Sequence, residues 1–155
     1  MIRRFDEKDA EEVFALIART MRETNSRDYS SEYIEKSLET LQPDRLIERA
    51  RHTHFYVVCT EDSRIIGCGA IGPYWGKEDE SSFFNIFVLP EYQGHGIGRS
   101  IVETLENDEF FLRAKRVEIP ASITGCPFYR KFGYHFKNGI STVDSELLYR
   151  LEKFR

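Results

Sequence analysis

No apolar stretch in this sequence approaches the roughly 18 residues that a membrane-crossing helix needs. The opening MIRRFDEKDAEE is charged and has no cleavage-like site, so no signal peptide is expected. Cysteine is sparse. Cys59, Cys68 and Cys126 are odd in number, far apart and in no CxxC pair, which points to buried, reduced thiols. Tryptophan occurs once, as Trp75. An excess of basic charge is also missing. The formal net charge is −4, which argues against nonspecific binding to nucleic acid. These absences together lead us to expect a cytoplasmic protein with no membrane partner.

What the chain does have is an ordinary globular composition, 41% hydrophobic and 31% charged, with 12 Phe and 8 Tyr. Its 155 residues read as one domain over 1–155, long enough to bury a core without metals or disulfides. Ile2–Phe5 reads as a short strand. Val13, Phe14, Ile17 and Met21 recur at helical spacing, predicting a helix over about 9–21, with Asp9 and Glu12 as a capping box. Ser30 or Ser31 caps a second helix carrying Tyr33, Ile34, Leu38 and Leu41. Pro43 interrupts it, and a short helix over Asp44–Arg51 follows.

From His54 the period changes. HFYVVCT, a turn at EDSR, and RIIGCGAIGPY predict a hairpin, and SSFFNIFVL a third strand of this group. A helix is predicted over about 97–108, a strand at RVEIPAS, and a short helix at PFYRKF closed by Gly133. YHFKN and ELLYRLEKF finish as strands, with a turn at Asn138–Gly139. The order is β-α-α-β-β-β-α-β-α-β-β. It predicts an α/β (α+β) fold: a mixed, mostly antiparallel sheet of about six or seven strands, flanked by about four helices, with one βαβ crossover in the second half.

The most informative stretch is VLPEYQGHGIGR, residues 88–99, where Gly94, Gly96 and Gly98 alternate between a strand and a helix. Helix-opening amides have no internal partners, and the helix dipole adds roughly half a positive charge there. Glycines let a phosphate come close to those amides. The spacing is neither GxxxxGK[S/T] nor GxGxxG, so both nucleotide-loop readings are weak. A tight turn alone would not require three alternating glycines.

Gln93-Gly94-His95-Gly96-Ile97-Gly98 resembles the Q/R-x-x-G-x-G/A signature of the GNAT superfamily of acyl-CoA-dependent N-acyltransferases. ASITGCPFYRKFGY, residues 121–134, is similar to the family's fifth strand and the short helix after it. The element order matches the family across nearly the whole chain. The resemblance implies an acetyl-CoA-dependent N-acetyltransferase acting by direct attack in a ternary complex, without a metal. Amides from Gly94 through His95, Gly96, Ile97 and Gly98 to Arg99 would hold the pyrophosphate, beside Gln93. The backbone of Phe87 and Val88 would pair with the pantetheine arm where the fourth and fifth strands splay. Ser122 stands where the family often has Asn. Tyr129 matches the tyrosine that faces the thioester sulfur, so it is the candidate general acid.

The base is less evident. Many relatives carry a Glu on the fourth strand, but Ser82–Phe87 contains no carboxylate. Asp79 and Glu80 lie just upstream; either could act directly or through water, with Glu80 the candidate, and a polar turn before the strand explains them equally well. His52 and His54 form an HxH pair with no third ligand in view, so no metal site is expected. Cys126 reads as a packing residue and RAKR, residues 113–116, as a solvated turn. RETNSRDYSSEY offers Tyr29 and Tyr33 to an acceptor, or is simply an exposed polar loop. The expected partner is a small-molecule or peptide amine. An exposed sheet edge would allow a homodimer. A noncatalytic acyl-CoA-binding or sensing module of the same fold stays open as the alternative.

Overall fold

The computed structural model describes every residue from Met1 to Arg155. Strand β1 (Ile2–Arg4) is followed by α1 (Ala10–Glu23), α2 (Ser31–Glu39) and α3 (Pro43–His52). The hairpin β2 (His54–Cys59) and β3 (Ile65–Pro73) leads to β4 (Glu80–Val88). Then come α4 (Ile97–Glu106), α5 (Glu109–Leu112), β5 (Arg116–Ser122), α6 (Cys126–Arg130), β6 (His135–Phe136) and β7 (Leu148–Phe154). All seven strands form one sheet in the order β1-β2-β3-β4-β5-β7-β6. Only β4 and β5 run parallel; every other neighbouring pair is antiparallel. The single crossover between β4 and β5 contains α4 and α5.

The expected fold class holds, with six helices rather than about four. Pro43 occupies the first turn of α3, where its missing N–H costs nothing and its fixed φ favours a new helix. Asp108 caps the one-turn α5 by accepting the Phe110 N–H at 2.9 Å. Ser30, not Ser31, caps α2 by accepting the Tyr33 N–H at 3.1 Å.

The capping box at the first helix sits earlier than Asp9–Glu12. Asp6 accepts the Lys8 N–H, and the Asp9 carboxylate accepts the Asp6 N–H at 2.8 Å. Glu12 instead accepts the Ile65 N–H at 2.8 Å, tying α1 to the start of β3.

The two sheet faces are covered by the apolar stripes that the periodicity marked. Val13, Leu16, Ile17 and Met21 of α1 are buried, as are Ile101, Val102 and Leu105 of α4. All three cysteines are buried and unpaired. His52 and His54 diverge. His52 ends α3 on Glu48, while His54 opens β2 with Nδ1 at 2.8 Å from Asp108.

Arg3 and Asp9 give the acid limb of stability one identifiable contribution. Arg3 donates two bonds to the Asp9 carboxylate, at 2.8 and 3.0 Å. The Arg3 bond, then burial opposing it, leave the Asp9 pKa below the ordinary carboxylate value. A depressed carboxylate stabilises the fold above its unfolded pKa, about 3.9, and loses that contribution as pH falls through its native value. Arg3→Gln should therefore cost up to about 1 kcal/mol at neutral pH, since Arg3 is partly exposed and screened. The loss should shrink below about pH 4. Urea midpoints of both proteins measured across that range check it; a pH-independent difference contradicts the pairing.

Candidate functional site

The parallel pairing of β4 and β5 is short. It covers Glu80↔Arg116, Ser81↔Val117 and Ser82↔Glu118, and then stops. From residue 83 to residue 88, β4 continues with no strand on that side. A bulge helps it turn away. Cys68 faces Phe87 and Ala70 faces Phe84, so Asn85 and Ile86 together stand opposite Gly69. Asn85 takes the left-handed conformation, φ 54°.

The closed end of this V is held by charge. Arg116 reaches Glu80 at 3.1 Å, Glu118 at 2.9 Å and Glu152 at 2.9 Å, joining β4, β5 and β7. RAKR is therefore not a solvated turn throughout, because its last residue is buried in an ionic cluster.

At the open end, β4 runs through Pro90–Tyr92 into the glycine loop. The three glycines do different things. Gly94 and Gly96 have φ of 78° and 82°, which side-chain-bearing residues adopt only with strain, and nothing stands within 4 Å of where a Cβ would be. Gly98 lies inside α4, where a Cβ would stand 3.0 Å from the ring of Phe128. From Gly94 to Arg99, six consecutive backbone N–H groups donate to no protein acceptor. They form a concave row of donors at the positive end of a ten-residue helix.

The opposite wall comes from β5 and α6. Tyr129 is buried, and its hydroxyl makes no hydrogen bond within the protein although it lines the cleft. Burial, with a smaller push from Cys68, raises its pKa, so the phenol is protonated at neutral pH. Ser122 accepts the Gly125 N–H at 2.9 Å and shapes the turn into α6. The space between the walls is a cleft of about 930 Å³.

A row of unpartnered amides at a helix mouth, an open strand edge beside it and a phenol across the gap complete the signature read from residues 93–98 and 121–134. The family model described as "Acetyltransferase (GNAT) family" matches residues 18–134. The chain belongs to the GNAT family of acetyltransferases.

Solved structures agree on the fold. A PaiA N-acetyltransferase from Thermoplasma acidophilum, in complex with coenzyme A, aligns with a TM-score of 0.83 at 21% identity, covering 100% of this chain and 98% of that one. A GCN5-related N-acetyltransferase from Rhodopseudomonas palustris gives 0.80 at 18% identity, covering 100% and 95%. A GNAT-family acetyltransferase from Staphylococcus aureus Mu50 gives 0.74 at 12% identity, covering 99% and 98%. No curated protein matches the sequence.

In this GNAT chain, Phe87, Val88, Gln93, Gly94, Gly96, Gly98, Arg99, Ser122 and Tyr129 all line the one cleft. His95 and Ile97 do not, and only their backbone amides belong to the donor row. The Gln93 side chain is a brace: its amide donates to Val88 O at 3.0 Å and Thr24 Oγ1 at 3.2 Å. Thr20 also donates to Val88 O, so that carbonyl is already occupied.

Glu80 lies at the closed end, bound to Arg116, and is not among the cleft residues. Cys126 is buried and its thiol pKa is raised by that burial, in keeping with packing. Tyr29 and Tyr33 both line the cleft and do not form an exposed loop, and their hydroxyls are already engaged. They stack at 4.4 Å, and their hydroxyls donate to Leu147 O at 2.6 Å and Glu146 O at 2.7 Å. Tyr29 also accepts the Ile123 N–H at 2.9 Å. The pair stitches a roof across the cleft.

Three cleft features had no clear signal in the sequence. The Asn85 side-chain amide is unpartnered, with its Oδ1 fully buried. Arg27 and Arg49 also line the cleft. With Arg99 and Lys131 they make four cations, while no Asp or Glu lines the cleft at all. In a chain of net charge −4 that is a marked local reversal.

Proposed function

We propose that the cleft binds acetyl-CoA and catalyses transfer of its acetyl group to an amine by direct attack. The observation that carries this reading is the run of six free amides at the head of α4, at one end of an open strand edge. Those donors suit a pyrophosphate. Arg99 and Lys131 add charge near the loop. The β4 edge over 83–88 can accept an extended arm as if it were another strand, less the carbonyl of Val88. Such an arm leads the thioester toward Tyr129.

The chemistry then divides among the chain's own groups. A free alkyl amine, with pKa about 10.4, is neutral only about one time in a thousand at pH 7. A cationic, acid-free cleft destabilises the ammonium form and so lowers that pKa without a dedicated base. The proton leaves to water. The amine lone pair attacks the thioester carbonyl carbon, the C–S bond breaks, Tyr129 gives its proton to the departing thiolate, and the second proton lost by the nitrogen as it becomes an amide passes through water to restore the phenol. Burial weakens the phenol as an acid, but the same dry site weakens the thiol, so the transfer stays near balance.

Hydrogen exchange is the test. Acetyl-CoA should slow exchange at residues 94–99 and along 83–88, and protection confined to another region would overturn the reading. Gly96→Ala gives a graded check. Its left-handed φ costs about 1–2 kcal/mol with a side chain, or about tenfold in acetyl-CoA affinity if the loop relaxes away. Titration calorimetry reads that change, and unaltered affinity contradicts the cradle. The acid-free lining would equally suit a noncatalytic acyl-CoA sensor. Thiol release on adding an amine panel, absent from a sensor, separates the two.

A further inference from the structure

Five arginines of this chain are not exposed: Arg3, Arg19, Arg49, Arg116 and Arg150. Four of them contact a carboxylate: Arg3 on Asp9, Arg19 on Glu91, Arg116 on Glu80, Arg150 on Asp144. Arg49 contacts none. Its guanidinium lies over the ring of Phe84 at 4.2 Å and makes no ion pair or hydrogen bond within the protein. Burial without a partner pulls its pKa below the usual arginine value. A half-buried cation with no counter-ion is a standing cost, and it lines the cleft.

Its place in the fold gives this a direction. Phe83 turns to the side of α5, packing near Phe111, so its neighbour Phe84 faces the other side of the sheet, under α3. That side is also where α2 supplies Tyr33 and Ser37 to the cleft, with Leu41 just beyond its end. The free amides belong instead to the head of α4, beyond the far end of β4. Arg49 thus stands apart from the pyrophosphate cradle, beside the part of the cleft left for the second substrate.

Resting on the function proposed above, we propose that the acceptor is a small amine that also carries an oxyanion, and that Arg49 is the specificity residue that pairs with it. The guanidinium fork matches a carboxylate in a two-bond geometry, and the Phe84 face holds the fork in place. A polycation has nothing to bind here, because no carboxylate lines the cleft.

The test is a matched panel with acetyl-CoA: amino acids and ω-amino acids, their carboxamides, aminoalkyl phosphates, and polyamines. Anionic amines should show kcat/KM at least about tenfold above the carboxamides. A stronger response to the aminoalkyl phosphates than to the carboxylates would assign the oxyanion to phosphate. Arg49→Gln should raise acceptor KM about 10- to 100-fold, with acetyl-CoA affinity unchanged, and Arg49→Lys should restore part of it.

A readout free of turnover accompanies this. N-acetyl carboxylates should stabilise the CoA-loaded wild type against heat more than their carboxamides do, and should not in Arg49→Gln. Equal response to acid and amide, or a preference that survives Arg49→Gln, overturns the assignment while acetyl-CoA binding stands. Failure of the wild type to bind acetyl-CoA overturns the underlying function instead.

Discussion

Tyr129→Phe should lower kcat by about 10²- to 10⁴-fold while leaving acetyl-CoA affinity within about twofold. The split follows from the hydroxyl's surroundings. It makes no hydrogen bond in the protein, so removing it breaks no structural contact and leaves no buried group stranded. What disappears is the group to which the proposed mechanism gives the proton for the departing sulfur. Burial keeps that group protonated across the neutral range, so the wild-type rate should not fall around neutral pH through loss of the phenolic proton. Stopped-flow thiol release and calorimetric binding of acetyl-CoA on the two proteins provide the measurement. Equal kcat would remove the acid role and leave Tyr129 as packing beside Phe128.

The second large effect concerns stability. Arg116→Ala should cost about 3–5 kcal/mol, because it leaves Glu118 and Glu152 buried without their shared cation. For a chain of this size that corresponds to a fall of roughly 10 °C or more in Tm. Lys137, at 2.9 Å from Glu118, and Arg150 soften the loss at Glu118, but Glu152 has no other cation. A triple variant with Arg116→Met, Glu118→Gln and Glu152→Gln should recover much of it, since removing a whole buried ionic set is far less harmful than removing one member. Glu80→Gln should change little, because Glu80 is the most exposed carboxylate of the set, and kcat should be preserved if Glu80 is structural rather than catalytic. A tenfold fall in kcat with unchanged Tm would return the base role to Glu80.

How legible the site was depended on the kind of signal. The glycine loop could be read because left-handed backbone and close packing admit almost nothing but glycine, so geometry leaves a mark on composition. Tyr129 could be placed in the cleft through its position in a motif. Glu80 was ambiguous because a carboxylate near a strand start has the same sequence appearance whether it meets a substrate or, as here, an arginine outside the cleft. RAKR misled for the same reason, since nothing local distinguishes Arg116 from Arg113. The Asp9–Glu12 capping box failed because Asp9 is also contacted by Arg3, from a different element.

Local chemistry set the strands, most of the helices and the left-handed glycines of the loop, because each depends on residues within a turn or two of one another. Other features came from contacts between segments distant in the chain. Those contacts split β4 from β5 after three residue pairs, spent the hydroxyls of Tyr29 and Tyr33 on the roof, and buried Arg116. They also emptied the cleft of carboxylates and left Arg49 alone above Phe84. Charge pairing is a property of neighbours in space, and a linear pattern does not say which cation will be left without a partner.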